Sequence, residues 1–181
     1  MNGLIAATYA PMHDDSSINL SVIPEYGLFL KNNKVNGAFV NGSTGDFVSL
    51  TTEERKEIIT EWSKHKPNDF FLVNHVGHNS LKEAKDLARH SADKVDAIAA
   101  LAPYYFRLGS LKSLLEYCKE IAGCAPDTPF YYYHIPVLTG ANFLMHEFLE
   151  LASKEIPNFA GIKFTNNNLI DYKYCKDFNN N

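Results

Sequence analysis

Strand-like and helix-like segments alternate along the whole of this chain, and that alternation limits the folds it can adopt. Short apolar runs of strand length recur at intervals of roughly 30 residues, separated by amphipathic segments of helical period. The strand-like runs are Gly3–Tyr9, Gly37–Val40, Phe70–Val76, Asp96–Leu101, Phe130–Tyr133 and Phe159–Phe164. The helical segments are Ile18–Lys31, Thr51–Lys66, Ser80–Lys94, Leu111–Ala122, Asn142–Lys154 and Leu169–Phe178. Six such βα units predict an α/β fold with a parallel sheet and right-handed crossovers.

Two architectures are built from repeated βα units, and the periodicity does not choose between them. An open doubly wound sheet needs about as many residues as this chain has, 181. A closed (β/α)8 barrel needs about 250 residues and eight strands, which is more than the pattern provides. Length alone therefore favours the open sheet.

The composition is that of one globular domain spanning residues 1–181, with 45% hydrophobic and 21% charged residues. Lys and Arg number 17 against 21 Asp and Glu, so no basic excess predicts a nucleic-acid partner. No apolar run reaches the roughly 18 residues that span a bilayer, and the N-terminus lacks the positive region of a signal peptide. We therefore expect a cytoplasmic protein that binds neither nucleic acid nor membrane.

The cysteines and histidines do not predict a metal site. The cysteines are odd in number and unevenly spaced, which argues against a disulfide framework and fits reduced thiols: Cys118, Cys124 and Cys175. Histidines follow several strand-like runs, but without the ligand spacing of a zinc site: His75, His78 and His134. We expect no bound metal.

A polar turn follows the second strand, at the carboxyl-end rim that carries function in both architectures. It reads Asn41-Gly42-Ser43-Thr44-Gly45-Asp46, where glycines allow tight backbone and two hydroxyls lie beside free N–H groups. This pattern predicts an anion site at Ser43 and Thr44, although an ordinary polar βα turn has the same composition. It has neither the lysine of a Walker loop nor the third glycine of a dinucleotide fingerprint.

A lysine in the sixth strand and tyrosines in the fifth are further candidates for chemistry. Lys163 lies in an apolar strand, where an amine is costly unless its head reaches solvent or takes part in a reaction. It is either a Schiff-base nucleophile or a snorkelling side chain. Alternation places Tyr131 and Tyr133 on one face of the fifth strand and Tyr132 on the other. Aromatic packing is the alternative role for these rings.

Four motifs together carry a resemblance that no single one of them would: G-S-T-G-D at 42–46, P-Y-Y at 103–105, Y-x-I-P at 133–136 and G-I-K-F-T at 161–165. In order and spacing they resemble the pyruvate-dependent class I aldolases of the N-acetylneuraminate lyase and dihydrodipicolinate synthase family. The resemblance implies a (β/α)8 TIM barrel, of which this chain matches the first six βα units. It overrides the preference for an open sheet.

The resemblance also implies which residues act on the substrate. Lys163 would form a covalent Schiff base with a C2 ketone, so that no cofactor is needed, and Tyr133 would take the proton of the C4 hydroxyl. Ser43 and Thr44 would hold the pyruvyl carboxylate.

Two more positions are implied at the edge of the site. Thr165, two residues after Lys163, would contact the substrate, and Tyr105 would reach the site of a neighbouring subunit. Family members are typically homo-oligomers that act on small molecules, so a tetramer is expected.

Residues 130–140 resemble the branch of the family that cleaves sialic acid. The synthase branch carries an arginine at the position of Leu138, where it meets an additional substrate carboxylate, and an apolar side chain cannot make that contact. The expected activity is cleavage of N-acetylneuraminate to N-acetylmannosamine and pyruvate. Two alternatives stay open: a truncated, non-catalytic relative that folds or acts by pairing with other subunits, and a synthase-like pyruvate aldolase.

Overall fold

The computed structural model describes residues 3–178, in which parallel strands alternate with α-helices. The strands are β1 (Ile5–Ala7), β2 (Gly37–Val40), β3 (Phe71–His75), β4 (Ala97–Ala100), β5 (Phe130–His134) and β6 (Phe159–Phe164). The helices are α1 (Ile23–Asn32), α2 (Thr52–His65), α3 (Leu81–Ser91), α4 (Leu111–Ala122), α5 (Pro136–Thr139), α6 (Met145–Glu155) and α7 (Leu169–Asp177). Every predicted strand and helix corresponds to one of these elements, and the short α5 was not predicted.

The domain predicted over residues 1–181 includes residues 1, 2 and 179–181, which lie outside the described residues.

The order of strands in the sheet decides between the two architectures. The strands lie side by side in chain order from β1 to β6, and each neighbouring pair is parallel. A doubly wound sheet reverses its order at a switch point, so the open sheet that length favoured is wrong. Continuous right-handed winding instead curls the sheet into a half-barrel with its helices outside, as the resemblance implied.

The half-barrel has two edge strands within residues 3–178, because β1 pairs only with β2 and β6 only with β5. Both edge strands are half-buried, whereas β2 and β4 are buried along their whole length. The inner face of the sheet is therefore open along one side of this part of the chain.

Local sequence signals set where the helices begin. The Thr51 hydroxyl accepts a hydrogen bond from the amide of Glu54, and the Glu54 carboxylate accepts one from the amide of Thr51 at 2.8 Å. This reciprocal capping box starts α2 immediately after the rim turn that follows β2. Pro24 lies in the first turn of α1, where a missing N–H breaks no helical hydrogen bond.

Apolar side chains cover both faces of the sheet. On the outer face the helices bury a large cluster that includes Leu87, Leu114, Tyr132 and Phe148, while a second cluster lies under α1 and α2. A smaller cluster fills the inner face: Phe39, Phe47, Val73, Ala97, Ala99, Leu101, Tyr133 and Ile135, with Tyr131 packed against it. The predicted alternation in β5 is confirmed, because Tyr131 and Tyr133 face inward and Tyr132 faces the helices.

Residues 3–178 contain neither a helix that could span a membrane nor a cluster of metal ligands. No helix within residues 3–178 is long and apolar enough to cross a bilayer. Within the same residues, no group of three or more His, Cys, Asp or Glu side chains is placed to hold a metal ion.

Candidate active site

Lys163 and Tyr133 are partners across the β5–β6 ladder, and both side chains lie on the inner face of the half-barrel. The Lys163 Nζ atom lies 3.6 Å from the centroid of the Tyr133 ring and 5.0 Å from that of Phe39. It also donates a hydrogen bond of 3.2 Å to Oγ1 of Thr165, which follows β6. An amine on two aromatic faces is held in a defined place while one side of it stays open.

Ser43 and Thr44 lie on the turn between β2 and α2, as predicted. Residues 43–45 form one turn of 3₁₀ helix, in which the Gly45 amide donates to the Gly42 carbonyl and the Asp46 amide to the Ser43 carbonyl. The Tyr133 hydroxyl donates to Oγ of Ser43 at 3.4 Å, and Thr44 is exposed beside it. Tyr133 therefore connects the amine of Lys163 to the turn that is predicted to bind an anion.

Two cavities contact this group of residues. One, of about 280 Å³, lies inside the half-barrel and is lined by Ile5, Ala7, Phe39, Val73, Tyr131, Ile162 and Lys163. The other, of about 360 Å³, opens at the carboxyl-end rim and is lined by Ser43, Asp46, Phe47, Val48, Leu101, Tyr104, Leu138 and Thr139. Tyr133 touches a lining residue of each, Lys163 in the first and Ser43 in the second.

Tyr105 is separate from the other predicted residues. Its side chain is 76% exposed, and its ring packs edge-on against Phe106, which is itself exposed. No hydrogen bond or ring contact joins it to the other five predicted site residues in the described chain. The neighbouring Tyr104 instead lines the rim cavity and packs against Phe47 at 5.8 Å between ring centroids. The role of Tyr105 toward a second subunit stays a prediction.

Burial sets the protonation of several groups around the site. It raises the pKa of Tyr131, and it raises that of Tyr104 against the opposing charge of Arg55. Both phenols are therefore neutral near pH 7. Burial also lowers the pKa of His134 to about 4, only partly opposed by Asp171, so that imidazole is neutral as well.

Arg55, a fully buried arginine close to the site, was not among the residues predicted from the sequence. Arg55 donates from Nη2 to the carbonyl of His75 at 2.7 Å and from Nη1 to that of Gly77 at 3.2 Å. Its guanidinium lies 5.1 Å from the Phe47 ring centroid, and burial lowers the pKa of Arg55 to about 10, so it is charged at neutral pH. The available signal was its position: residues 55, 58, 59 and 62 share the buried face of α2, and an arginine there must bind something inside.

Comparisons with known proteins identify the family. Residues 1–179 match the Dihydrodipicolinate synthetase family. N-acetylneuraminate lyase A of Xenopus laevis is 44% identical over 180 residues, which cover 97% of this chain and 58% of that protein. The chain thus belongs to the dihydrodipicolinate synthetase family, as its motifs predicted, and it spans 58% of the length of that relative.

Solved structures agree with the observed fold. The N-acetylneuraminate lyase of Proteus mirabilis matches with a TM-score of 0.95 at 33% identity, over 99% of this chain and 61% of that one. A catalytic lysine mutant of the Ruminococcus gnavus sialic acid aldolase matches with a TM-score of 0.91 at 30% identity, over 98% of this chain and 57% of that one. These neighbours are TIM barrels, which confirms the fold class that the resemblance implied.

Proposed function

We propose that this chain carries the Schiff-base chemistry of a sialic acid aldolase that cleaves N-acetylneuraminate, with Lys163 as the nucleophile. One observation carries the proposal: the Lys163 Nζ atom lies on the Tyr133 ring, whose hydroxyl in turn donates to Ser43. Nucleophile, proton carrier and anion turn are thereby in contact in the order that the reaction needs. The relatives named N-acetylneuraminate lyase, and the solved sialic acid aldolase that is a catalytic lysine mutant, support the same interpretation.

The proposed reaction begins with an imine. The Lys163 amine attacks the C2 ketone of open-chain N-acetylneuraminate, and loss of water leaves a protonated imine. The hydroxyls of Ser43 and Thr44, together with nearby backbone N–H groups, hold the carboxylate next to that carbon. Thr165, which accepts a hydrogen bond from Nζ, keeps the amine directed along the inner face and contacts the substrate.

Bond cleavage follows from removal of one proton. Tyr133 takes the proton of the C4 hydroxyl, the C3–C4 bond breaks, and its electron pair moves to the imine to give an enamine. N-acetylmannosamine leaves as the aldehyde product. Protonation of the enamine at C3 and hydrolysis then release pyruvate and the free Lys163 amine. Ser43 accepts from the Tyr133 hydroxyl, so it offers a path along which the proton can move.

Leu138 favours the lyase over the synthase-like alternative. Its side chain is 57% exposed on the rim cavity that also contains Ser43 and Tyr104. An apolar side chain there offers no positive charge to an additional substrate carboxylate. Burying that carboxylate without a charged partner is costly.

A non-catalytic role through pairing with other subunits is the second candidate. The chain spans 58% of its Xenopus relative, and its inner cavity is open between β1 and β6 in the described residues. Exposed apolar side chains after β4 and β5 also favour a homo-oligomer, which by family resemblance we propose to be a cytoplasmic tetramer: Tyr105, Phe106, Val137 and Leu138.

Borohydride trapping tests the proposed function. The 181-residue chain is incubated with pyruvate, reduced with borohydride, digested and mapped by mass spectrometry. We expect the reduced adduct on Lys163 alone, its loss in Lys163→Arg, and its retention in the surface control Lys31→Arg. An adduct on other lysines, or none on Lys163, would remove the Schiff-base assignment.

A further inference from the structure

His75 is a fully buried histidine at the carboxyl end of β3 that the proposed reaction does not use. Its ring lies edge-on to Tyr133, at 5.9 Å and 87° between rings, and edge-on to Phe47, at 4.6 Å and 69°. The site is built closely around this ring, because a Cβ atom on Gly77 would come within 2.7 Å of Nε2. His75 therefore lies directly behind the predicted proton carrier.

Two hydrogen bonds fix the tautomer of this imidazole. Nδ1 lies 2.8 Å from the carbonyl oxygen of Asn41, which can only accept, so Nδ1 carries the proton. The Leu101 amide donates to Nε2 at 3.4 Å, which therefore presents its lone pair. Burial, and next the positive charge of Arg55, hold the pKa of His75 well below its ordinary value. The ring is neutral, and its one N–H is directed at Asn41.

Asn41 is the residue from which the predicted anion turn begins. Its backbone is left-handed, with φ +57°, and its side-chain amide donates to the Arg55 carbonyl at 3.0 Å and to Oδ1 of Asn74 at 2.9 Å. The Asn41 carbonyl and the Gly42 N–H belong to one planar peptide and point in opposite directions. A hydrogen bond that fixes the direction of the Asn41 carbonyl therefore also fixes the direction of the Gly42 N–H. It thereby sets the path of the backbone into residues 43–45.

We propose that His75 is a positioning residue, whose Nδ1–H holds the Asn41–Gly42 peptide and so orients the Ser43–Thr44 turn toward the carboxylate of a 2-oxo acid. The same ring supports Tyr133 from behind, so one side chain places both the anion turn and the proton carrier. This inference rests on the proposed function, since the carboxylate is that of the imine-forming substrate. It adds a residue that contacts neither the substrate nor the reacting atoms.

Two substitutions separate the hydrogen bond from the packing. His75→Asn keeps an N–H donor at the same number of bonds from Cα as Nδ1, whereas His75→Leu keeps an apolar side chain without a donor. His75→Gln, whose amide nitrogen corresponds to Nε2 rather than Nδ1, serves as the polar donor-displaced variant if His75→Leu does not fold. Each variant is trapped with borohydride over a range of pyruvate concentrations, and its thermal midpoint is recorded beside it.

We expect His75→Leu and His75→Gln to raise the pyruvate concentration for half-maximal trapping by about tenfold, and His75→Asn to raise it much less. If His75 only stabilised the fold, each variant would lose trapping in proportion to the decrease in its thermal midpoint, whether or not it kept the donor. If His75→Asn raised the half-maximal pyruvate concentration as much as His75→Leu or His75→Gln does, the inference would be overturned.

Amide hydrogen exchange decides the role of His75 without using the substrate. The amides of Gly45 and Asp46 close the turn, so they should exchange faster in His75→Leu and His75→Gln and at the native rate in His75→Asn. Amides within α4 serve as the internal control. Unchanged exchange of Gly45 and Asp46 in His75→Leu, or in His75→Gln where that variant is used, would disprove the positioning role. Absence of trapping in the unmodified chain would instead disprove the proposed function, and the exchange result would still stand.

Discussion

Gly161 pairs with Tyr131 across the β5–β6 ladder, although Phe130 pairs with Phe159 one step earlier, so Ala160 is an extra residue that opposes no partner. This bulge moves every later residue of β6 by one place. Without it Lys163 would lie opposite His134 and face the helices, because a slip of one residue exchanges the two faces of a strand. The inward position of the predicted nucleophile therefore depends on this irregularity.

Substituting Gly161→Ala should damage both stability and the candidate site. Gly161 has a φ of +144°, which side chains rarely tolerate, and a Cβ atom would lie 3.3 Å from Cε1 of Tyr131. Strain of this kind costs about 1–3 kcal/mol, and relief by loss of the bulge would turn Lys163 outward. We expect a lower free energy of unfolding in urea together with reduced trapping of pyruvate. Gly109→Ala, with nothing within 4 Å of the added atom, is the matched control.

Substituting Tyr133→Phe separates the two roles of this side chain, because it removes the hydroxyl that carries the proton and keeps the ring that packs against Lys163. The ring that lies 3.6 Å from Lys163 Nζ remains, while the hydroxyl that donates to Ser43 is removed. The measurement is the rate of N-acetylmannosamine release from N-acetylneuraminate, the step in which Tyr133 is proposed to take the proton of the C4 hydroxyl. We expect a decrease of about 10²- to 10⁴-fold, and little change in Tyr174→Phe on α7. An unchanged rate of N-acetylmannosamine release would mean that Tyr133 is only a core aromatic.

Local patterns predicted the strands and helices well, because the periods of strands and helices are visible among residues that are close in the sequence. The bounds of β2, α4 and β6 agree with prediction to the residue. Strand order is not a local property, which is why length favoured the wrong architecture and only the joint resemblance of four motifs gave the barrel. The bulge at Ala160 could not be predicted either, since the strand that β6 pairs with lies about 30 residues earlier in another βα unit.

The candidate site was predicted only in part for a related reason. One chain of contacts joins Lys163, Tyr133, Ser43 and Thr165, because each lies near or just after the carboxyl end of a strand, on the same side of the sheet. The helical period indicates that Arg55 is buried, but its partners are carbonyls of β3 and the following loop, which no sequence pattern predicts.

A buried carboxylate should make the docking of α7 depend on pH. Asp171 is 2% exposed and accepts hydrogen bonds from the amides of Met145 and His146 at the start of α6, and from the His146 ring. Burial acts to raise the pKa of Asp171, but these bonds, that of Met145 first, outweigh it and set the pKa below its ordinary value. The ionised form thus stabilises the fold at neutral pH, and this contribution is lost as the pH falls below about 4.

Substituting Asp171→Asn tests this dependence. We expect a loss of about 1.5–3 kcal/mol in the free energy of unfolding at pH 7, because charge-assisted hydrogen bonds become neutral ones. The difference from the unmodified chain should shrink toward acid, where both side chains are uncharged. Asp127→Asn, on an exposed loop, should show no such convergence. A difference that is constant from pH 7 to pH 3 would show that the charge of Asp171 contributes nothing.

The free edges of the half-barrel should make the 181-residue chain associate. In the described residues β1 and β6 each leave one row of backbone N–H and C=O groups unpaired, next to an apolar cavity lined by Ile5 and Ile162. Such edges pair with other chains unless charge or proline blocks them. We expect concentration-dependent sedimentation and a low thermal midpoint that rises with protein concentration. Ala7→Lys and Ala160→Lys, which put charge on the two edges, should reduce association, whereas Asn33→Lys after α1 should not. A concentration-independent monomer with a sharp, high transition would mean that the inner face closes in another way.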